Sequence, residues 1–366
     1  MKQTKLWMLA AILNFCGALH LQAQKLTVVD SDGVAVAYAS VFNPDAEYIG
    51  ITNLDGIVPD LEGARDITIT HVAFKTKNVK LNSGDDVTIT LEDADFDMPE
   101  IVVEPKPYVY VQTYYRMYYY SSKGGIVYYR AGLTDNIYET ARQKVTSSTR
   151  HTAKAKYGVI KTVLGMFGDK FDRQSRISAN TVEARMKAWA KPLQLTFTPM
   201  GAGKQRISDN KSTVGYVTDD AADHQRRYSY NSSTIVNHRL EASGDAKALA
   251  KREKRHSKRQ NEEDIDFHLY HIDDAGHYAP EDFIMMQSMS SWDEEKEDGT
   301  EHVIIALQAF TVDRGYVTKK ELNERKKANK LKLTYANILK LERDHNIQSL
   351  PPAVQEKLNV LWKSGE

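Results

Sequence analysis

The sequence predicts an α+β protein in which an N-terminal antiparallel β-sandwich precedes a β-rich α+β region that ends in helices. Three observations carry that expectation. Polar and apolar residues alternate with a period of two in two places within residues 25–103, two tyrosine-rich runs flank a glycine turn at 124–125, and a helix-opening motif at 318–321 begins helical periodicity that runs to 362.

In the first segment, Ile67 and Ile69 alternate with Thr68 and Thr70, and Val87, Ile89 and Leu91 alternate with Thr88 and Thr90. Successive side chains of a strand face opposite sides of its sheet, so this pattern describes strands with one face on a core and one toward water. Asp32-Gly33, Asp55-Gly56 and Ser83-Gly84-Asp85-Asp86 stand between the apolar stretches as turns, and the resulting close strand spacing is that of a sandwich.

The same residues carry a family likeness. The series Asp32-Gly33, Ala39-Ser40-Val41, Thr52-Asn53-Leu54-Asp55-Gly56, Ile67-Thr68-Ile69, Val87-Thr88-Ile89-Thr90-Leu91 and Met98-Pro99-Glu100-Ile101-Val102-Val103 resembles the carboxypeptidase-regulatory-like domain of Bacteroidota envelope proteins. The likeness spans residues 25–103. It departs from the family pattern at Ala73-Phe74, where a Gly-Tyr pair is common, and at Asn53, which replaces the first Asp of a turn. Both departures suit the fold, because an aromatic ring is kept and Asn forms turns as readily as Asp. The resemblance implies a transthyretin-like sandwich used for attachment or assembly, commonly placed ahead of a TonB-dependent outer-membrane receptor. Residues 104–366 are too few for a receptor barrel of about twenty-two strands, and they resemble no characterised family.

Residues 1–23 read as a cleavable export signal. Lys2 and Lys5 give a positive start, Leu6 to Ala18 an apolar run too short to span a bilayer as a mature helix, and Ala23 a cleavage point. Leu21 is larger than the residue such sites favour three places before cleavage, which leaves the boundary open by a few residues. Cys16, the chain's one cysteine, lies in this run behind Phe15. The mature protein is therefore expected to have no thiol, disulfide or thiolate metal ligand, and no lipid at Cys16. The 366 residues carry 49 basic and 49 acidic side chains, a balance that gives no field of one sign for holding nucleic acid. No apolar run beyond the signal is long enough for a second membrane helix. The expected location is the periplasm or the outer-membrane surface.

After Pro105 and Pro107, Tyr108, Tyr110, Tyr114, Tyr115, Tyr118, Tyr119 and Tyr120 lie on one expected strand and Tyr128 and Tyr129 on a second, with Gly124-Gly125 as the turn. Tyrosine buries its ring and keeps a hydroxyl for water, so these nine residues are a candidate surface for a glycan or another protein. Tyrosine is also a favoured strand residue, in which case some of the nine belong to a core. No acidic pair accompanies them at the spacing that glycoside hydrolysis needs.

Residues 135–170 read as partly helical, broken at Gly158, Gly165 and Gly168, and residues 176–237 as short β-runs such as Leu193 to Phe197 and Val214 to Val217. Gly201-Ala202-Gly203-Lys204 lacks the spacing of a phosphate loop and reads as a polar turn. From Ala246 to Glu263 the chain is first basic and then acidic. A solvated helix or a locally disordered insertion suits that block better than a phosphate or lipid-headgroup site, since no aromatic residue is interleaved.

His238 and Glu241 form an H-x-x-E, and His345 would complete a two-plus-one zinc set of the hydrolase type. In the resembling peptidases, however, the sandwich follows the catalytic domain, and such short patterns arise readily by chance. His268, His271 and His277 form a second cluster, yet positions 268 and 271 fall on opposite faces of a strand, which weakens shared coordination. No G-x-S-x-G elbow occurs. No enzyme activity, cofactor or metal is expected. The expected role is a non-enzymatic envelope adaptor for an unknown envelope protein, with glycan binding through the tyrosines as the alternative and a zinc hydrolase as the third reading.

At the C-terminal end, His302 to Leu307 reads as a strand. Thr318-Lys319-Lys320-Glu321 then has the form of a capping box, with Val317 and Leu322 as its hydrophobic staple. Leu331, Tyr335 and Ile338 continue one apolar face, and Pro351-Pro352 opens a shorter helix with Val354, Leu358 and Leu361 in a stripe. These helices are expected to pack on the preceding strands; a partner-binding helical hairpin is the functional alternative.

Overall fold

The computed structural model describes residues 25–365 apart from 59–60, 62, 83–85, 97–105, 143, 157–180, 202, 258 and 329–332. The export signal, the helical reading of 157–170 and the closing Met98 to Val103 of the family-like segment lie outside the described residues.

Among the described residues seven short strands form the N-terminal unit: β1 (Leu26–Val29), β2 (Ser40–Phe42), β3 (Tyr48–Ile51), β4 (Ile57–Val58), β5 (Asp66–His71), β6 (Phe74–Lys80) and β7 (Val87–Thr90). They make two sheets, in the orders β4-β1-β7 and β3-β2-β5-β6. The alternation read from sequence is present in β5, where Ile67, Ile69 and His71 are buried between less buried neighbours. Leu26 and Val28 from one sheet share a core with Val41, Ile67 and Ile69 from the other. One expectation is corrected: β1 and β7 run parallel, from Leu26 opposite Val87 to Val29 opposite Thr90, so the unit is not wholly antiparallel. Parallel neighbours need a long crossover, and here the chain supplies it by building the other strands before β7 returns.

The two turn dipeptides have a common chemistry. A side-chain oxygen of Asp30 accepts from the amides of Asp32 and Val34, and that of Asn53 accepts from those of Asp55 and Ile57. At Gly56, with φ of +73°, a Cβ would stand 2.4 Å from the carbonyl oxygen of Val28, so the turn packs against β1 only with glycine there.

Ten further strands follow among the described residues: β8 (Tyr108–Ser121), β9 (Gly125–Glu139), β10 (Lys144–Lys156), β11 (Thr196–Gly201), β12 (Lys204–Ser208), β13 (Thr213–Asp220), β14 (Gln225–Asn231), β15 (Gln260–His271), β16 (Phe283–Lys296) and β17 (Gly299–Val317). They form one antiparallel sheet in the order β10-β9-β8-β17-β16-β15-β14-β13-β12-β11. Two meanders, β8 to β10 and β11 to β17, join where β17 pairs with β8. At one edge β11 carries Pro199, which has no amide to offer a further strand. Residues 135–139 and 144–156 are therefore strand and not helix, in keeping with β-branched Ile137, Val145, Thr146, Thr149 and Thr152.

Helices cover both faces. On one, α1 (Val182–Leu193) and α2 (Ser232–Ser243) place Val182, Met186, Leu193 and Ile235 against Tyr115, Met117, Tyr228 and Tyr230. The opposite face receives the N-terminal unit together with α5 (Tyr335–Asp344) and α6 (Pro352–Gly365), whose Ile338, Val354, Leu358 and Leu361 join a core with Tyr114, Tyr118 and Tyr129. Of the two readings of the basic block the helix is the one observed: Ala246–His256 is α3, capped by Asp245 and tied by Arg252 to Asn237 and Ser233, and residues from Gln260 already belong to β15. Residues 182–193, expected among short β-runs, instead form helix α1, because Val182, Met186, Trp189 and Leu193 repeat at helical spacing.

The capping box forms as read. In α4 (Lys319–Ala328) the Thr318 amide donates to Glu321 at 2.6 Å, the Glu321 amide donates to Oγ1 of Thr318 at 3.3 Å, and Val317 packs with Leu322. Tyr335 starts a separate helix, capped by Thr334, and does not continue α4; Leu331 lies outside the described residues. The stripe of α6 is buried on the sheet, as packing on the strands requires, and is not open to a partner.

Candidate functional site

Among the described residues β3 is the last strand of its sheet and pairs with β2 alone. Just past it, the Thr52 amide donates to the Ala39 carbonyl and the Thr52 carbonyl accepts from the Tyr38 amide. Polar backbone groups alternate sides along a strand, so those of Ile51 point away from β2. At the start of this open edge the Tyr48 amide donates to the Tyr120 hydroxyl at 2.9 Å, which fastens β3 to the large sheet. Beyond that point the edge and the sheet part. The cleft between them takes in about 990 Å³ including its open mouth, and is lined by Tyr48 to Ile51, Asn53 and Val58 on one wall and Asn261, Glu263, Ser291 to Asp293, His302 and Val303 on the other.

Strand register assembles the second wall. Glu263 pairs with Ser291 across β15 and β16, and Asp293 with His302 across β16 and β17. Asp293 is held from two sides, hydrogen-bonded to Nδ1 of His302 and accepting from Nδ2 of Asn261 at 2.7 Å. The Tyr48 ring meets His302 edge-on, with centroids 6.5 Å apart. Burial, and then the nearby Glu263 and Asp293, hold the Tyr48 hydroxyl well above its ordinary pKa, and it shares a hydrogen bond with Ser291. The Glu263 side chain makes no hydrogen bond or ion pair with any described residue, and burial raises its pKa. Behind it, the buried Tyr38 hydroxyl has no hydrogen-bond partner among the described residues, and Glu263 is the charge that acts on it most.

Among the described residues no Lys or Arg lines the cleft, which leaves two carboxylates, a histidine and several neutral acceptors facing solvent. The hydroxyl of Ser291 is engaged by Tyr48 and the imidazole of His302 by Asp293. Such a lining attracts hydrogen-bond donors and positive charge.

Two other polar constellations hold the molecule together. Arg227 on β14 bonds Asp30 at 3.2 Å and Asp93 at 3.0 Å, lies 3.7 Å from Asp220, and stacks over Phe74, joining the N-terminal unit to the sheet. Beside it, burial and then Arg227 push His71 down to about 3, and its neutral ring packs edge-on against Phe267. On β8, Arg116 donates to Glu342 at 2.8 Å, Gln308 at 2.7 Å and the Gln348 carbonyl at 2.6 Å, while the Tyr114 hydroxyl donates to the same Glu342 at 2.8 Å.

The tyrosine surface is corrected. Tyr110, Tyr114, Tyr115, Tyr118, Tyr120, Tyr128 and Tyr129 are buried, and Tyr108 and Tyr119 are half-buried. The sheet is covered on both sides, so β8 and β9 have no wet face on which a ring platform could stand. The rings have structural work instead: that of Tyr115 lies over Gly132, where a Cβ would meet it at 2.6 Å.

The zinc set is dispersed. His238 bonds Asp209, and Glu241 bonds Lys211, both on α2, whereas His345 ends α5 across the sheet. His268 is buried between Tyr230 and Tyr270 on β15, His271 points to the other face, and His277 is exposed in a turn beyond the strand. Among the described residues no three His, Cys, Asp or Glu side chains are placed to hold a metal ion. No described helix is long and apolar enough to cross a membrane. Neither protein-family models nor curated proteins match this chain.

Proposed function

We propose that the protein is an exported, non-enzymatic component of the cell envelope that acts as an adaptor, its N-terminal unit a transthyretin-like sandwich of the carboxypeptidase-regulatory-like kind. The observation that supports this reading best is the junction. The N-terminal unit is fixed to the large sheet by the Arg227 cluster, by Phe42 against Tyr120 and by Phe96 against Phe310, and the outer edge of its β3 borders a polar cleft. A rigid module with an open edge presents a surface without needing to move, which is what an adaptor requires.

Photo-crosslinking in a Bacteroidota host tests the proposal. A crosslinking side chain replaces Ile51 in the cleft or, as a control, Glu253 on the far helix α3. The expected outcome is a processed chain in the envelope fraction and a discrete adduct from position 51 that position 253 does not give. An unprocessed cytoplasmic chain would remove the export reading. Hydrolytic turnover by the purified protein, with no adduct from position 51, would replace the adaptor by an enzyme.

A further inference from the structure

We infer that the cleft between β3 and the large sheet receives the lysine or arginine side chain of an extended segment from a partner protein. The inference rests on the adaptor reading for its partner being a protein; the preference for positive charge is a property of the cleft itself.

Charge complementarity selects the occupant. Glu263 and Asp293 face the cleft, and no Lys or Arg among the described residues lines it. Asp293 already has its donors in His302 and Asn261, whereas the Glu263 side chain has no partner among the described residues. A half-buried carboxylate without a counter-charge is costly, and a cation delivered from outside offsets that cost through a charge-assisted hydrogen bond. A metal ion is a poor candidate, since three ligating groups do not converge among the described residues. An organic cation needs only one or two oxygens at its head and an apolar wall for its stem, which the Tyr48 ring, Ile49 and Val58 supply.

The β3 edge supplies the rest. With the polar backbone of Ile51 directed away from β2, an extended chain alongside β3 finds main-chain partners while its alternate side chains enter the cleft. A second copy of this chain, pairing edge to edge, would bring two sets of carboxylates together, so self-association at this edge is opposed by like charge.

The test uses the purified full mature chain and three probes: the blocked peptide acetyl-Thr-Lys-Val-Thr-amide, the same peptide with its lysine acetylated at Nζ, and cadaverine as the bare diamine. Binding is read by calorimetry and by NMR shifts. The lysine peptide is expected to bind about tenfold more tightly than its acetylated form, to lose about tenfold in Glu263→Gln, and to weaken as salt rises. Glu253→Gln, on α3, leaves binding unchanged. Glu263→Gln keeps the side-chain shape and removes a half-buried charge, so the variant folds. Equal affinity for the two peptides, unchanged affinity in Glu263→Gln, or no binding of the lysine peptide would each overturn the inference. Cadaverine binding as tightly as the peptide would overturn the part played by the strand edge. A position-51 adduct that persists when no peptide binds would leave the adaptor reading standing alone, and peptide binding without the adduct would do the reverse.

Discussion

Glu263 and Asp293 stand on adjacent strands of one wall, yet their surroundings give them opposite thermodynamic roles. Asp293 is gripped by two donors; Glu263 is raised by burial with nothing to offset it. An acid whose pKa is raised on folding binds a proton more tightly in the native state. Below its unfolded pKa it is protonated in both states and costs nothing; as pH rises through that value the unfolded chain ionises first, and native stability falls. Glu263→Gln is therefore expected to raise the melting temperature at neutral pH, with the gain vanishing below about pH 4.5, the ordinary value for this side chain. A melting series from pH 7 down to pH 4 checks it, and a gain independent of pH would show that Glu263 is not the burdened group. Tyr120 belongs to the same scale. Its hydroxyl accepts the Tyr48 amide, so Tyr120→Phe is expected to strand that donor and cost about 1–3 kcal/mol in denaturant unfolding. A cost near zero would mean that the edge of β3 is not fastened there.

Among the elements, the C-terminal helices are held by two devices of different reach. The capping box is local, and that is why it was legible: Thr318 and Glu321 are three residues apart and satisfy each other's amides whatever the rest of the fold does. Those hydrogen bonds hold the Glu321 carboxyl down, from an ordinary 4.5 to about 2. A depressed acid contributes its stability above the unfolded pKa and loses it as pH falls toward the folded one, so the first turn of α4 is expected to fray between about pH 4.5 and pH 2. Amide exchange at Glu321, followed through that window, checks the prediction. The clamp of Arg116 on Glu342 is the long-range device. The two are 226 residues apart and both are buried, so no spacing in the sequence announced them. Glu342→Gln leaves the Arg116 guanidinium buried without its counter-charge, and a loss of about 3–5 kcal/mol is expected in equilibrium unfolding. Replacing both by Met and Leu is expected to recover most of it. A double variant as unstable as the single one would contradict the account.

Across the whole molecule, what the sequence revealed and what it hid divide by distance along the chain. The strands of the N-terminal unit were readable because alternation at Ile67 and Ile69 and the turns at Gly33 and Gly56 are properties of a few consecutive residues. The fate of the tyrosines was not, because their burial depends on two cover layers, contributed by residues 26–91 together with α5 and α6 on one face and by residues 182–243 on the other. The cleft was hidden for the same reason: residues 48–58 and 261–303 meet only after the N-terminal unit docks.

That docking yields a prediction about cooperativity. Arg227 reaches from β14 to Asp30 and Asp93, one core runs from Leu26 through Phe310 to Leu361, and Gln348 accepts the Thr76 amide, so the N-terminal unit, the large sheet and α5 to α6 share buried contacts. Elements that share a core lose their stability together. The intact chain is expected to melt in a single calorimetric transition, with amides of Val28 and Ile69 exchanging through the same global opening as those of β16. Arg227→Leu leaves Asp30 and its neighbours without the shared cation, a loss of about 3–5 kcal/mol. The loss is concentrated at the seam. The variant is therefore expected to show a second, lower transition, or early exchange confined to residues 26–91, while the β16 amides keep their protection. Two transitions in the unmodified chain would mean that the N-terminal unit is an independent domain resting on the sheet, and the cleft between them would then open and close with it.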